Sequence, residues 1–321
     1  MISCEFTVVF HLSLILFEVN QGEIAMKSVR SMVGVMVLVL ATAPAWSSSK
    51  TTINIGRSDV SLTVPEDYSR HTAVPLIVIL HGYTDNSGNH DRYMKFSSLV
   101  DEYEFLLLAP DGTKEAGGQN HPFWNATDAC CDFQGSEVDD SKYLAELIRE
   151  VRSKYSVDGN RIYMFGHSNG GFMVHRMAFD HPNTIAAVGA LAGAAMETME
   201  GEAPERPVSI LQIHGTKDRL NLYEGGDING VVYPGPARGL EKWVEYTGGK
   251  EAIKIVRTKL DLDSELEGLE TTVTEFGRKG RFELWTIEEG GHVPAFNDNV
   301  TRLIVEWFMD HPKEKAKKKK R

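Results

Sequence analysis

The sequence predicts an α/β fold, with a mostly parallel central sheet and helices on both faces. Three observations point to it. Short continuous aliphatic runs, such as Pro75-Leu76-Ile77-Val78-Ile79-Leu80, read as strands buried on both faces. Stretches of helical spacing stand between them, as in Val138–Tyr155 with Leu144, Leu147, Ile148 and Val151. The alternation itself implies parallel neighbours, which can be joined only by crossovers. With 321 residues the chain can form one large α/β domain or two small ones. Hydrophobic residues make up 42% and charged residues 25%, ordinary values for a globular protein.

Residues 1–45 read as lying outside the fold. Met26-Lys27-Ser28-Val29-Arg30 is a short basic region, Met32–Leu40 is apolar, and Ala43-Pro44-Ala45 fits the small-x-small cleavage rule. This pattern is a secretory signal peptide cut before Trp46, which places the protein in a secreted or periplasmic location. Met26 then serves as the start, with residues 1–25 an upstream extension. The apolar run is shorter than the roughly 20 residues a spanning helix needs, which argues against a stable membrane span. Residues 46–312 read as a single domain.

Within that domain, Thr51–Ile55 and Val60–Val64 alternate around Gly56-Arg57-Ser58-Asp59 and predict an antiparallel hairpin. The aliphatic run to Leu80 follows, then a helix over Met94–Tyr103 and a buried strand over Phe105–Ala109. Thr113–Gly135 is a long loop, a length usually kept for function. The helix Val138–Tyr155 leads to a strand ending at Phe165 and a helix starting at Asn169. Strands are expected over Ile185–Leu191, Val208–Ile213, Ile253–Leu260, Thr271–Phe276 and Phe282–Ile287, with helices over Arg238–Tyr246 and Val300–Met309. Residues 313–321 read as a basic, disordered tail.

The net charge is −11, and this tail carries seven positive residues against one negative, leaving the rest of the chain at −17. So acidic a body is a poor partner for nucleic acid. Cysteine is scarce. Cys4 would leave with the signal, and Cys130 and Cys131 are adjacent, which matches no zinc spacing and implies no metal. In an oxidising compartment the pair can form a vicinal disulfide; free thiols or a partner cysteine from another chain are the alternatives.

The most informative stretch is Arg161–Met173. Gly166-His167-Ser168-Asn169-Gly170 lies between a strand and a helix, the setting of a nucleophile elbow. A serine there projects from a sharp turn, and the glycines on either side let strand and helix backbones approach closely. A serine hydroxyl is a weak nucleophile and needs a base, usually histidine, oriented by an acid. After the strand to Ile213 comes His214-Gly215-Thr216-Lys217-Asp218; after the strand to Ile287 comes Glu288-Glu289-Gly290-Gly291-His292. Ser168, Asp218 and His292 thus fall in the order and at the strand ends that a triad needs. Asp227 and Asp139 are spare acids, one farther from its strand end and one preceding the serine. The oxyanion donors are expected to be the N–H groups of Asn169, at the helix start, and Tyr83, in the loop after Leu80. His81 then has a packing role. Phe123 and Trp124, on the long loop at the carboxyl edge of the sheet, are expected to wall the substrate site; the alternative is that Trp124 packs in the core and the thiols are inert.

Together His81-Gly82-Tyr83, Pro110-Asp111-Gly112, Phe123-Trp124-Asn125, Val138-Asp139-Asp140, the Gly166–Gly171 elbow, His214–Asp218 and Gly291-His292 resemble the secreted polyhydroxybutyrate depolymerase / feruloyl esterase family over about residues 52–310. The resemblance implies an α/β-hydrolase fold without metal or organic cofactor. It also implies an ester substrate, with Ser168 as nucleophile, Asp218 as acid and His292 as base. Members differ in whether they act on polyester, on feruloyl or acetyl groups of plant polysaccharide, or on short acyl esters. The competing readings are a serine peptidase on the same fold and a non-catalytic hydrolase-like binding protein. The first would normally carry an added propeller or lid domain, and the second would be expected to have lost a triad member. The sequence gives no oligomeric state.

Overall fold

Two alternating segments open the fold as a hairpin. In the computed structural model, which describes residues 48–117, 120–249, 254–277 and 281–314, β1 (Ser49–Ile53) pairs antiparallel with β2 (Val60–Val64). The aliphatic run forms β3 (Val74–Leu80), buried at every residue. Helix α1 (Ser87–Met94) follows, capped by the Asn86 side chain, then a 3-10 turn over Phe96–Leu99, the short α2 (Val100–Tyr103) and β4 (Leu106–Ala109). The single helix expected over 94–103 is therefore broken. Lys95 takes a left-handed φ of 59° that ends α1 and redirects the chain.

The long loop carries a two-residue pairing of β5 (Thr113–Lys114) with β6 (Pro122–Phe123). Then come α3 (Asp140–Lys154), β7 (Val157–His167), α4 (Asn169–Asp180), β8 (Ala187–Leu191) and β9 (Ser209–Gly215). A small hairpin of β10 (Gly225–Ile228) and β11 (Val231–Pro234) precedes α5 (Pro236–Tyr246). The chain closes with β12 (Lys254–Leu260), β13 (Thr271–Phe276), β14 (Phe282–Ile287) and α6 (Val300–Asp310).

Among the described residues, ten strands form one sheet in the order β1-β2-β4-β3-β7-β8-β9-β14-β13-β12. The centre, from β4 to β14, is parallel. The pairs at both edges are antiparallel. Alternation along each strand feeds two cores. Leu76, Val78 and Leu80 face a layer with Leu144 of α3, Phe172 of α4 and Leu240 of α5. Ile77 and Ile79 face Met94 of α1 and Val300 and Ile304 of α6. Helices therefore cover both faces, and the parallel centre points all its carboxyl ends one way.

Residues 1–47, with the expected signal peptide, and 315–321 of the basic tail lie outside the described residues. The tail boundary itself moves. Lys313 is buried, its N–H donates to Asn160 O at 2.8 Å, and its ammonium donates to Ile185 O. The first tail residue packs against the fold, where burial and the charges of Arg206 and Arg281 lower its pKa to about 7.

Candidate active site

Ser168 sits where β7 turns into α4, with φ 54° and ψ −118°. An L-residue rarely adopts this conformation, and the surrounding structure must hold it there. Glycine makes the turn possible. A Cβ on Gly166 would collide with the Gly170 backbone, and one on Gly170 with the Leu80 carbonyl. Ser168 N–H donates to Leu191 O at 2.8 Å, tying the turn to β8.

The residues that the sequence singled out converge on this serine. His292 Nε2 lies 2.9 Å from Ser168 Oγ, across 124 residues of chain. His292 Nδ1 lies 2.8 Å from Asp218 Oδ2, across another 74. The bearers are the carboxyl ends of β7, β9 and β14. Since Nδ1 faces a carboxylate, it carries the proton, and Nε2 is left to accept from the serine hydroxyl. Asp227, the spare acid, instead accepts from Gly230 N in the β10–β11 turn at 3.0 Å. Asp139, the other, caps α3 by accepting from Lys142 N at 2.9 Å.

Asp218 is buried, and burial pushes its carboxyl up. Hydrogen bonds from His214 and His292, the charge of His292 and the Asn221 N–H outweigh that and hold it well below the usual carboxylate range. Its Oδ1 accepts from Leu220 N and Asn221 N, both at 2.9 Å. The carboxylate is therefore ionised and fixed on both oxygens.

The loop after β3 passes beside the serine; a Cβ on Gly82 would stand 3.4 Å from Ser168 Cβ. Among the described residues, the N–H groups of Tyr83 and Asn169 have no protein acceptor. His81 secures this loop, with Nδ1 bonded to Gly82 O at 2.7 Å and Nε2 accepting from Gly112 N at 2.9 Å. Burial lowers its pKa, so the ring is a neutral tie. His167, just before the serine, holds the base-bearing loop, because its Nε2 donates to His292 O at 3.0 Å.

Phe123 and Trp124 do not wall a cleft. They are 1% and 0% exposed. Every polar group of Trp124 is engaged inside the protein. Its N–H donates to Asn169 Oδ1 at 2.7 Å, its carbonyl accepts from Asn169 Nδ2 at 2.8 Å, and its indole donates to His81 O at 3.1 Å. The cause is physical: a long loop whose regular structure is one two-residue pairing must bury its largest rings to hold its shape. The exposed aromatic of this loop is Phe133, 44% exposed and edge-on to the Tyr83 ring at 5.3 Å. Val293, beside the base, is 60% exposed. Tyr83 also donates its hydroxyl to Glu115 at 2.5 Å. The sulfur atoms of Cys130 and Cys131 lie against each other, and Asn169 Nδ2 reaches Cys130 Sγ at 3.5 Å. Among the described residues, no group of three His, Cys, Asp or Glu side chains is arranged to hold a metal ion.

Known proteins resemble this chain in sequence and in fold. Residues 61–226 match the family model described as esterase PHB depolymerase. The chain is 27% identical over 197 residues to feruloyl esterase B of Piromyces equi, covering 59% of this chain and 35% of that one. It is 25% identical over 166 residues to the bifunctional acetylxylan esterase/xylanase XynS20E of Neocallimastix patriciarum, covering 52% of this chain and 22% of that one. The chain thus spans a minor part of the length of these relatives. Acetyl xylan esterase from Aspergillus awamori superposes with a TM-score of 0.55 at 15% identity, covering 82% of this chain and 99% of that one. That likeness is one of fold, and the fold is that of the α/β-hydrolases.

Proposed function

This chain belongs to the esterase PHB depolymerase family, and we propose that it is a serine esterase hydrolysing carboxylic esters through an acyl-enzyme. The observation that carries the reading is the hydrogen-bonded line Ser168 Oγ, His292 Nε2, His292 Nδ1, Asp218 Oδ2, with links of 2.9 and 2.8 Å, starting from a serine at positive φ.

Ser168 Oγ attacks the ester carbonyl carbon while His292 Nε2 takes its proton. The charge that develops on the carbonyl oxygen is met by the N–H groups of Asn169 and Tyr83; a single such donor is worth about 2.7–4 kcal/mol. The imidazolium, held by Asp218, then passes its proton to the departing alcohol. Water, deprotonated by the same Nε2, attacks the acyl-serine, and the carboxylic acid leaves as Ser168 recovers its proton. Asp218 orients the ring and balances its charge throughout.

Relatives named for feruloyl and acetylxylan esters support an aryl or acetyl ester of a plant polysaccharide as substrate, with polyhydroxybutyrate-type and short acyl esters as the family's other choices. The leader read in residues 26–45 supports a secreted or periplasmic enzyme, and among the described residues no helix is long and apolar enough to cross a membrane. The test is a fluorophosphonate label mapped by mass spectrometry, run beside a panel of feruloyl, acetyl-sugar and hydroxyalkanoate esters. Label at Ser168 with turnover of at least one ester class is the expected result; label elsewhere, or none, would overturn the reading.

A further inference from the structure

Behind Asp218 a line of buried polar side chains crosses the core, and the mechanism above uses none of them. Trp243 of α5, His175 of α4 and Gln212 and His214 of β9 are each 1% exposed. Trp243 Nε1 lies 3.1 Å from His175 Nδ1. His175 Nε2 lies 2.9 Å from Gln212 Oε1. Gln212 Nε2 lies 3.0 Å from Gly193 O and 3.4 Å from His214 Nδ1. His214 Nε2 lies 2.8 Å from Asn221 O and 3.3 Å from Asp218 Oδ2. Polar residues in an otherwise aliphatic strand, Ser-Ile-Leu-Gln-Ile-His-Gly, are costly to bury unless each finds a partner.

The direction of every bond in this line is forced. An indole N–H can only donate, so His175 Nδ1 is a lone pair and Nε2 carries the proton. A backbone carbonyl can only accept, so Gly193 O fixes the Gln212 amide with Nε2 toward it and Oε1 toward His175. The two ends agree. Gln212 Nε2–H then faces His214 Nδ1, and His214 Nε2, facing a carbonyl and a carboxylate, must be protonated. The alternative His214 tautomer would set a lone pair against Asn221 O and Asp218 Oδ2, and an N–H against the Gln212 amide hydrogens.

We propose that His214 is a positioning residue of the esterase reaction, a second imidazole donor to the triad carboxylate whose tautomer is set by a one-way relay from Trp243 through His175 and Gln212. The inference rests on the serine-esterase reading. His292 and His214 meet the same oxygen, Asp218 Oδ2, at 2.8 and 3.3 Å. His214 draws charge from the oxygen that His292 needs, which restrains the imidazolium from becoming too stable to release its proton to the leaving alcohol. Neutral His175 suits the relay, since burial lowers its pKa to about 4.

The other ionisable groups around this point are His167, whose charge couples to Asp218, Tyr233, which does the same, and Tyr223, edge-on to His214 at 5.9 Å. Tyr223 and Tyr233 are both raised above the ordinary tyrosine value by burial, so they stay neutral through the acid range.

The experiment compares kcat/KM against pH for wild type, His214→Phe, His214→Gln and Trp243→Phe, with Ser168→Ala as control. Without its second donor, Asp218 holds His292 in the charged form more strongly. His214→Phe should therefore move the acid limb of the profile upward by about half a unit or more and lower kcat/KM by about tenfold. His214→Gln, which keeps an N–H near the Nε2 position, should return the limb to within about a quarter of a unit of wild type. Trp243→Phe keeps an aromatic ring and removes the donor together with part of the indole; it should shift the limb in the same direction by less, and it alone decides the relay if His214→Phe does not fold. A folded His214→Phe with an unmoved limb overturns the assignment, as does His214→Gln behaving like His214→Phe. An unmoved limb in Trp243→Phe overturns the relay. If Ser168→Ala keeps full activity, the esterase reading has failed, which is a separate outcome.

Discussion

The Asn169 side chain and the Trp124 backbone bond each other twice, Trp124 N–H to Oδ1 at 2.7 Å and Nδ2 to Trp124 O at 2.8 Å. The residue whose N–H is proposed to face the oxyanion is thereby fixed by the loop that covers it. Asn169→Ala would leave the buried Trp124 N–H without a partner and its carbonyl with only the 3.3 Å bond from Cys131 N–H, at a cost of about 1–3 kcal/mol. The expected result is a urea midpoint lowered accordingly, together with a drop in kcat. A variant of wild-type stability would show that the loop finds other partners.

Ser168 offers a test of stored strain. Ser168→Ala and Ser168→Gly should both lose ester turnover by several orders of magnitude. Only glycine relieves the backbone at φ 54°, so Ser168→Gly should also be about 1 kcal/mol more stable than Ser168→Ala. Equal melting temperatures for the two variants would mean that the turn is not strained.

Acid should weaken the fold before it protonates carboxylates. Burial, with the nearby charge of His292 in the first case, holds His167 at about 4, and burial does the same for His175, both below the ordinary 6.5. Between those values the unfolded chain takes up protons that the folded chain refuses. Their contribution is complete above pH 6.5 and is lost as the pH falls toward 4. Asp218, also depressed, adds a loss of the same sign below about pH 4. Urea unfolding at pH 7 and pH 4.5 should differ by on the order of 4 kcal/mol. His175→Gln should shrink that difference by roughly half; equal stability at the two pH values would contradict the burial argument.

Phe133 and Trp124 should separate substrate recognition from folding. Phe133 is exposed beside Tyr83, so Phe133→Ala should lower kcat/KM for aryl esters several-fold more than for acetate esters, with little change in melting temperature. Trp124 is enclosed, so Trp124→Ala should cost about 3–5 kcal/mol and treat all esters alike. The opposite pattern in a paired assay would restore Trp124 to the substrate site.

What was legible in the sequence follows from where the physics is local. The β3 run and the elbow each announce themselves within a dozen residues, because burial on both faces and a glycine-framed turn leave direct marks. The placement of Ser168, Asp218 and His292 at strand ends was readable for the same reason. The helix α1 was not, since Ser-Gly-Asn-His-Asp-Arg-Tyr-Met buries only His90 and Met94 and depends on the Asn86 cap. The β10–β11 hairpin did carry an Asn229-Gly230 turn, the strongest short signal for a hairpin, but its flanks scarcely alternate. Trp124 was misplaced because sequence shows that a ring is present on a loop and not which side of the loop it faces. The signal for the relay was Gln212, a lone amide amid the aliphatic residues of the expected strand Val208–Ile213.

The parallel centre of the sheet has a consequence in time. The serine, acid and base hang from β7, β9 and β14, and β14 lies against β9 in a register that reaches from Phe282 to Ile287. The base follows β14, the last strand among the described residues, and no stretch that stops short of His292 assembles the line from Ser168 to Asp218. During synthesis the emerging polypeptide carries an inert serine until β14 has emerged and docked against β9. Recovery of turnover after dilution from denaturant would then act as a clock for the final docking step, lagging behind the return of helical signal from α3 and α4.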